Sequence, residues 1–250
     1  MADKLERVEE EKQKLEESRQ RMFMDISHDL KTPITTICGY AKALSEGMVK
    51  EDEKEQRYLR SIYDKSARVT ELINNLFQLS KLENSELKLV YEKQDFVEFI
   101  RGIAAECYEQ IEEKDMDLDL ILPEKQIILS FDRKELGRAV MNIVYNAIKY
   151  NPSGTKLRIQ ISEDENKVLL KIADNGTGIP EGLKDSIFEP FVRGDSSRKS
   201  DGGTGLGLAI AKKIVEGHGG TLTLDTNVGE EKTIFTISLN GIDITKTYNC

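Results

Sequence analysis

"DGGTGLGLAIAKKIVEGHGG", residues 201–220, sets the terms for the rest of the chain. Gly202, Gly203, Gly205 and Gly207 run straight into a helical pattern with Leu208, Ala211, Ile214 and Val215 on one side. Glycine amides at a helix N-terminus form a cradle for an anion such as a phosphate. A flexible linker is equally rich in glycine, but it does not embed Leu206 and Leu208 in the loop. There is no G-x-x-x-x-G-K-[ST] run, which excludes a P-loop. His218, among glycines where the helix should end, reads as a C-terminal cap residue and not as a catalyst.

Upstream, "EGLKDSIFEPFVRGDSSRKS" (181–200) is polar, basic in its second half, and carries Phe188 and Phe191. That composition suits a lid with aromatic anchors and a phosphate-facing arginine, Arg193. "KIADNGTGIP" (171–180) closes a strand pattern. Asp-Asn-Gly is an ordinary hairpin turn. It is equally a place where Gly176 and Gly178 let backbone approach a ligand while Asp174 accepts a hydrogen bond. A carboxylate accepts from the exocyclic amine of adenine and is repelled by guanine's carbonyl oxygen. A helix over 132–150 opens on Asp132 and Glu135, spaced as in a capping box. Leu136, Val140, Ile143, Val144 and Ala147 form its core face. Asn142, Asn146 and Lys149 share another face, either simply solvated or serving Mg²⁺ through amide oxygens and phosphate through the ammonium.

Between Leu89 and the end of the chain, β-type runs ("LKLVY", "LDLIL", "IILSF", "KLRIQIS", "KVLLKIA", "TLTLDT", "TIFTISL") interleave with helical patterns near 95–113, 132–150 and 205–217. This predicts an α/β sandwich with one sheet face covered. Before it lie two helical stripes. Ile26, Leu30, Ile34, Ile37, Ala41 and Leu44 form the first; Tyr58, Ile62, Val69, Leu72, Leu76 and Leu79, thickened by Leu59, Ile73 and Leu82, form the second. "SEGMVKEDEKEQ" is the turn between them. One such hairpin cannot bury its own stripes, so a homodimeric four-helix bundle is expected. Leu5, Val8, Lys12, Leu15, Arg19 and Met22 continue the pattern upstream as a coiled-coil seam with two polar interruptions. The expected divisions are a coiled-coil helix over 1–22, the hairpin over 23–88, the sandwich over 89–240 and a tail over 241–250.

The net charge of −9 and a pI near 5.0 disfavour nucleic acid and anionic membranes as partners. No apolar run reaches transmembrane length, so this segment is expected to be cytoplasmic, or the cytoplasmic part of something larger, without membrane contact of its own. The three scattered cysteines, Cys38, Cys107 and Cys250, suit a reducing compartment, with Cys38 assigned to packing.

Five motifs in one order now carry a resemblance to the sensor histidine kinases, covering nearly the whole chain. "SHDLKTPIT" resembles the H box, "NIVYNAIKYN" the N box, "DNGTGIP" the first glycine box, "IFEPFVRGD" the F box and "GGTGLGLAIAKKIVEGHGG" the second glycine box. The resemblance implies a dimerisation and phosphotransfer hairpin followed by a Bergerat (GHKL-type) ATP-binding domain. It implies His28 as phosphoacceptor, Asp29 as the adjacent acid, and Thr32 in the acid-x-x-Thr pattern linked to phosphatase activity. It makes Asn146 the Mg²⁺ ligand, sets Asn142 and Lys149 near the phosphates and Tyr150 by the adenine, and makes Asp174 the adenine reader. Gly176, Gly178, Ile179, Phe191, Arg193, Gly203, Thr204, Gly205, Leu206, Gly207 and Leu208 complete the implied ATP site. The implied partner is a response regulator receiver domain. A non-catalytic nucleotide-gated scaffold and a gyrase-like ATPase are the alternatives; Asn142, where those ATPases have a general-base Glu, speaks against the second. Pro33, one residue past Thr32, cannot donate to the carbonyl of Asp29, so a bend is expected there.

Overall fold

The computed structural model describes residues 2–49, 51–83, 88–194 and 203–241. The side chains of the upstream seam, Leu5 to Met22, lie outside the described residues, as do Gly202, the end of the lid stretch and nearly all of the tail. The chain forms two compact units, one built on residues up to Phe77, with which Gly203 and Thr204 are grouped, and the other on Gln78–Gly194 and the residues from Gly205 on.

In the first unit, helix α1 (Ala2–Ser45) runs unbroken past Pro33, and α2 spans Asp52–Glu83. Around Pro33 the hydroxyls of Thr32, Thr35 and Thr36 each donate to the carbonyl four residues back. The turn is shorter than "SEGMVKEDEKEQ" suggested. Asp52, Glu53 and Glu55 belong to the first turn of α2, where acidic side chains complement the helix dipole. Tyr40 stacks on Tyr58, ring centroids 4.2 Å apart, and Leu72 is buried. Much apolar surface stays open: Phe23, Met24, Ile34, Leu59, Tyr63, Ile73 and Phe77 are all exposed. Cys38 is exposed as well, which corrects its assignment to packing: it falls one step beyond the stripe through Ile34, Ile37 and Ala41.

The second unit carries strands β1 (Glu92–Asp95), β2 (Asp117–Ile121), β3 (Ile128–Phe131), β4 (Lys156–Asp164), β5 (Lys167–Asp174), β6 (Thr221–Val228) and β7 (Glu231–Asn240). Its helices are α3 (Phe96–Glu113), α4 (Arg133–Tyr150) and α5 (Gly207–Gly217). Five strands form one sheet in the order β2-β4-β5-β7-β6, parallel only between β2 and β4, while β1 and β3 pair separately. Alternation decides which face is covered. Leu157, Ile159, Leu170, Ile172, Phe235 and Ile237 are buried, while their neighbours Arg158, Gln160 and Thr236 are only half-buried. Buried residues of α4 (Leu136, Val140, Ile143, Val144, Ala147) and α5 (Ala211, Ile214, Val215) fall on the faces expected of them. Cys107 of α3 is fully buried, and burial, reinforced by Glu106, pushes its thiol up to about 11.

The described part of "LKLVY", Lys88–Tyr91, is not a strand; pairing begins only at Glu92. The backbone of this stretch is committed elsewhere, since Val90 N–H donates to Asp132 Oδ2 at 2.8 Å. The capping box at Asp132 is only half made. Its Oδ1 accepts from the N–H groups of Lys134 and Glu135, but Glu135 does not reach back. The N–H of Asp132 instead donates to His218 Nε2 at 3.1 Å.

Candidate functional site

Strand register puts Asp174 where it is. Leu157, Asp174 and Thr233 are opposed across β4, β5 and β7, on the face that elsewhere holds core side chains. At the end of β5 this row carries polar groups in place of apolar ones, and Asp174 and Thr233 are both buried. Burial raises the Asp174 carboxyl above the usual range. The Gly176 N–H, which donates to Oδ1 at 3.0 Å, and the side chains of Asn151 and Thr233 oppose that rise. "DNG" is therefore no hairpin turn: β5 pairs with β4 on one side and β7 on the other, and the chain leaves the sheet through this loop.

Asn151, unremarked in the sequence, organises the loop. It is the C-cap of α4, held extended (φ −96°, ψ 152°) before Pro152. Its Nδ2 donates to Ala147 O, and its Oδ1 accepts from Thr177 N–H, both at 3.0 Å. A Cβ on Gly176 would collide with Oδ1 and Cγ of Asn151, so that glycine is required by close approach. Gly178 is required for another reason, its φ of +73°.

Helix α4 carries Asn142 and Asn146 one turn apart, both half-buried, and Lys149 and Tyr150 exposed beyond them, with Nζ 5.5 Å from the tyrosine ring centroid. Asn142 Nδ2 donates to Gly207 O at 3.0 Å, tying α4 to the first turn of α5. The amide oxygens of Asn142 and Asn146 are hard donors of the kind Mg²⁺ takes, and the donor set fits that ion. Leu206, fully buried, anchors the glycine loop, and Leu208 is half-buried. Ahead of them Gly203 is half-buried and Thr204 buried.

The lid stretch docks on the same loop. Phe191 N–H donates to Gly205 O at 2.9 Å, and a Cβ on Gly205 (φ +68°) would come within 2.9 Å of the Phe191 backbone. Phe191 itself has φ +65°, an uncommon conformation for a bulky residue, and is buried. Phe188 meets Phe235 edge-on under Lys212. Ile179 and Arg193 are half-buried.

In the other unit, His28 projects from α1 with its side chain 81% exposed, while Ile26 and Leu30 are half-buried. Helix geometry does not by itself bring adjacent side chains face to face. The rotamers here nevertheless set Asp29 Oδ1 3.5 Å from His28 Nδ1. Thr32 Oγ1 donates to His28 O at 3.2 Å, which leaves its lone pairs facing outward. Asn151, the last residue of "NIVYNAIKYN", was given no role because only its place before Pro152 at a helix end marks it, and nothing local marks Thr233.

An exposed histidine beside a carboxylate lies on the helical hairpin, and a buried Asp174 and a glycine-bounded loop lie on the sandwich that follows it in the chain. Residues 18–85 match the His Kinase A (phospho-acceptor) domain, and residues 131–241 match the histidine kinase-, DNA gyrase B- and HSP90-like ATPase. The chain belongs to the sensor histidine kinases, with the ATP-binding fold of that superfamily. It is 46% identical over 213 residues to the sensor protein GtcS of Aneurinibacillus migulanus, covering 85% of this chain and 57% of that protein. The solved histidine kinase AdeS of Acinetobacter baumannii is 29% identical with a TM-score of 0.70, over 86% of this chain and 98% of that one. A histidine kinase ThkA, solved in complex with the response regulator protein TrrA, shares the fold at 23% identity (TM-score 0.71, 92% of this chain, 66% of that one). The chain spans about half the length of the curated relatives it matches. Among the described residues no helix is long and apolar enough to cross a membrane.

Proposed function

We propose that this chain, as a homodimer, uses ATP to phosphorylate His28 and passes the phosphoryl group to an aspartate of a response regulator receiver domain. The observation that carries this is His28 itself, solvent-facing with Asp29 Oδ1 3.5 Å from Nδ1. Asp29 holds the Nδ1 proton, so the lone pair of Nε2 is free to attack. A bond forms from Nε2 to the γ-phosphorus, the bond from that phosphorus to the β–γ bridging oxygen breaks, and ADP departs. The proton displaced from the ring goes to Asp29. Transfer onward exchanges the P–N bond for a bond to the regulator's carboxylate oxygen.

On the nucleotide side, Asp174 accepts from the adenine amine, and Asn151 and Thr233 hold that carboxylate in place. Asn146 would ligate Mg²⁺, which when bound neutralises charge on the phosphates; Lys149 and Arg193 supply further positive charge. The open apolar surface of the hairpin, from Phe23 to Phe77, supports the dimer. A neighbour of like fold solved with a response regulator bound supports the partner class. Thr32, on the face of His28, supports phosphatase activity toward the phosphorylated regulator. Incubation with γ-labelled ATP and Mg²⁺ tests the core of the reading. The label should be acid-labile, base-stable and absent from His28→Gln; undiminished labelling of that variant overturns it.

A further inference from the structure

Of the two helices that frame the proposed nucleotide site, the shorter, α5, is joined to α4 at both of its ends. Near the site, Asn142 Nδ2 donates to Gly207 O. At the far end, Asp132 N–H donates to His218 Nε2 at 3.1 Å. Asp132 to Asn142 is a rise of about 15 Å and Gly207 to His218 about 16 Å at 1.5 Å per residue. The stretch of α4 from Asp132 to Asn142 and the shorter helix α5 are therefore antiparallel and of matched span, linked at each end of α5.

The far link also receives the chain arriving from the hairpin. Val90 N–H donates to Asp132 Oδ2, and Tyr91 OH donates to Gly217 O at 2.9 Å. The Tyr91 ring lies against the His218 ring, centroids 5.4 Å apart. His218 uses both nitrogens. Nδ1 lies 2.8 Å from Ile214 O, which only accepts, so Nδ1 carries the proton. Nε2 is then the acceptor that the Asp132 N–H requires. One side chain thus caps α5 and grips the start of α4, a task the N-cap's own Glu135 leaves undone.

We propose that Tyr91, Asp132 and His218 form a latch through which the incoming segment 88–91 sets the relative position of α4 and α5, and hence of Asn142 and Asn146 against the glycine loop. They are positioning residues, some 15 Å from the chemistry by the same helical rise. The inference rests on the nucleotide site proposed above. A rigid helix carries a displacement at one end to the other, and an error of 1 Å at a phosphate costs up to 10²-fold in rate, by the order of magnitude known for misplaced reactants.

The two nitrogens of His218 can be separated by substitution. In His218→Asn the amide reaches only the Nδ1 position, so the cap on Ile214 O survives and the grip on Asp132 is lost. In His218→Gln the amide reaches the Nε2 position and restores the acceptor for Asp132 N–H. The experiment measures, on the full chain, the autophosphorylation rate at saturating ATP, the KM for ATP, and the thermal midpoint. His218→Asn should lower the saturating rate at least tenfold with KM changed by less than threefold, and His218→Gln should recover most of it. Tyr91→Phe, which removes one hydroxyl from a half-exposed ring, should lower the rate severalfold with the thermal midpoint unchanged. Equal rates in His218→Asn and the parent overturn the latch, as does a His218→Gln no better than His218→Asn. If His218→Asn fails to fold, Tyr91→Phe decides alone, and a parental rate in it overturns the latch. A parent chain that takes no label at all refutes instead the reading on which this one rests.

Discussion

Replacing Gly176 with alanine should unfold the proposed adenine pocket through a clash with protein and not with nucleotide. The added methyl group would overlap Asn151 Oδ1 and Cγ and come within 3.0 Å of its Cβ. Asn151 has nowhere cheap to go, because it is buried and its amide is bonded at both ends. Moving it out breaks the bonds to Ala147 O and Thr177 N–H and the one that steadies Asp174. Three hydrogen bonds at about 1 kcal/mol each, plus about 1 kcal/mol of residual crowding, give a cost of ~4 kcal/mol. That is a large share of the ~5–15 kcal/mol that holds a typical domain together. The assay is urea unfolding followed by circular dichroism, with affinity for a fluorescent ATP analogue measured alongside. The decisive comparison is the same substitution in Asn151→Ala, where the obstructing amide is gone. There Gly176→Ala should cost less than about 1 kcal/mol, a coupling of ~3 kcal/mol between adjoining sites. An equal cost in both backgrounds would refute the steric argument, and a cost near zero in the parent would show that the loop, not Asn151, gives way.

Asn146→Asp should lower autophosphorylation on the order of 10²-fold, by setting a carboxylate against the triphosphate, while leaving dimerisation intact by sedimentation. Thr32→Ala should leave autophosphorylation within about twofold and slow regulator dephosphorylation roughly tenfold or more, whereas Asp29→Asn should do the reverse; both rates are read with one purified regulator. Asp132 gives a pH prediction: burial raises its pKa, but the N–H groups of Glu135, Val90 and Lys134, with His218, outweigh burial and hold the carboxyl below its usual value. A depressed carboxylate contributes stability above its unfolded pKa of about 3.9 and loses it as the pH falls through the lower folded value. Urea midpoints between about pH 6 and 3 should therefore drop less steeply in Asp132→Asn than in the parent.

Periodicity was a reliable guide wherever one face of an element meets the core. The apolar faces of α4 and α5 are buried at the residues their spacing named, apart from the half-buried Leu208 at the start of α5, because burying a stripe leaves a helix little rotational freedom. "LKLVY" has the same alternation as a strand, yet its described residues, Lys88–Tyr91, form none. Its pattern is overridden by a carboxylate forty-two residues away that takes the Val90 N–H, and nothing in a local window carries that information. The turn at 45–56 failed for a neighbouring reason: acidic residues mark both loops and helix starts, and only the dipole of a formed helix distinguishes them.

The same division runs through the site. His28, Asp174 and the glycines stand out in the sequence because the proposed phosphotransfer and adenine recognition, and close backbone approach, each demand a particular residue type. Asn151, Thr233 and His218 were not legible in those roles, because their work is to fix other groups, and an asparagine, threonine or histidine that fixes a neighbour reads as any polar residue. Their roles exist only once register opposes Thr233 to Asp174 and the antiparallel helices bring His218 to Asp132. His218 was placed correctly at the end of α5, and its Nδ1 does bond Ile214 O there. The cap reading accounts for that nitrogen alone. The second nitrogen, directed at the N-cap of another helix, is what turns a local cap into a joint between the two elements bearing the proposed nucleotide residues.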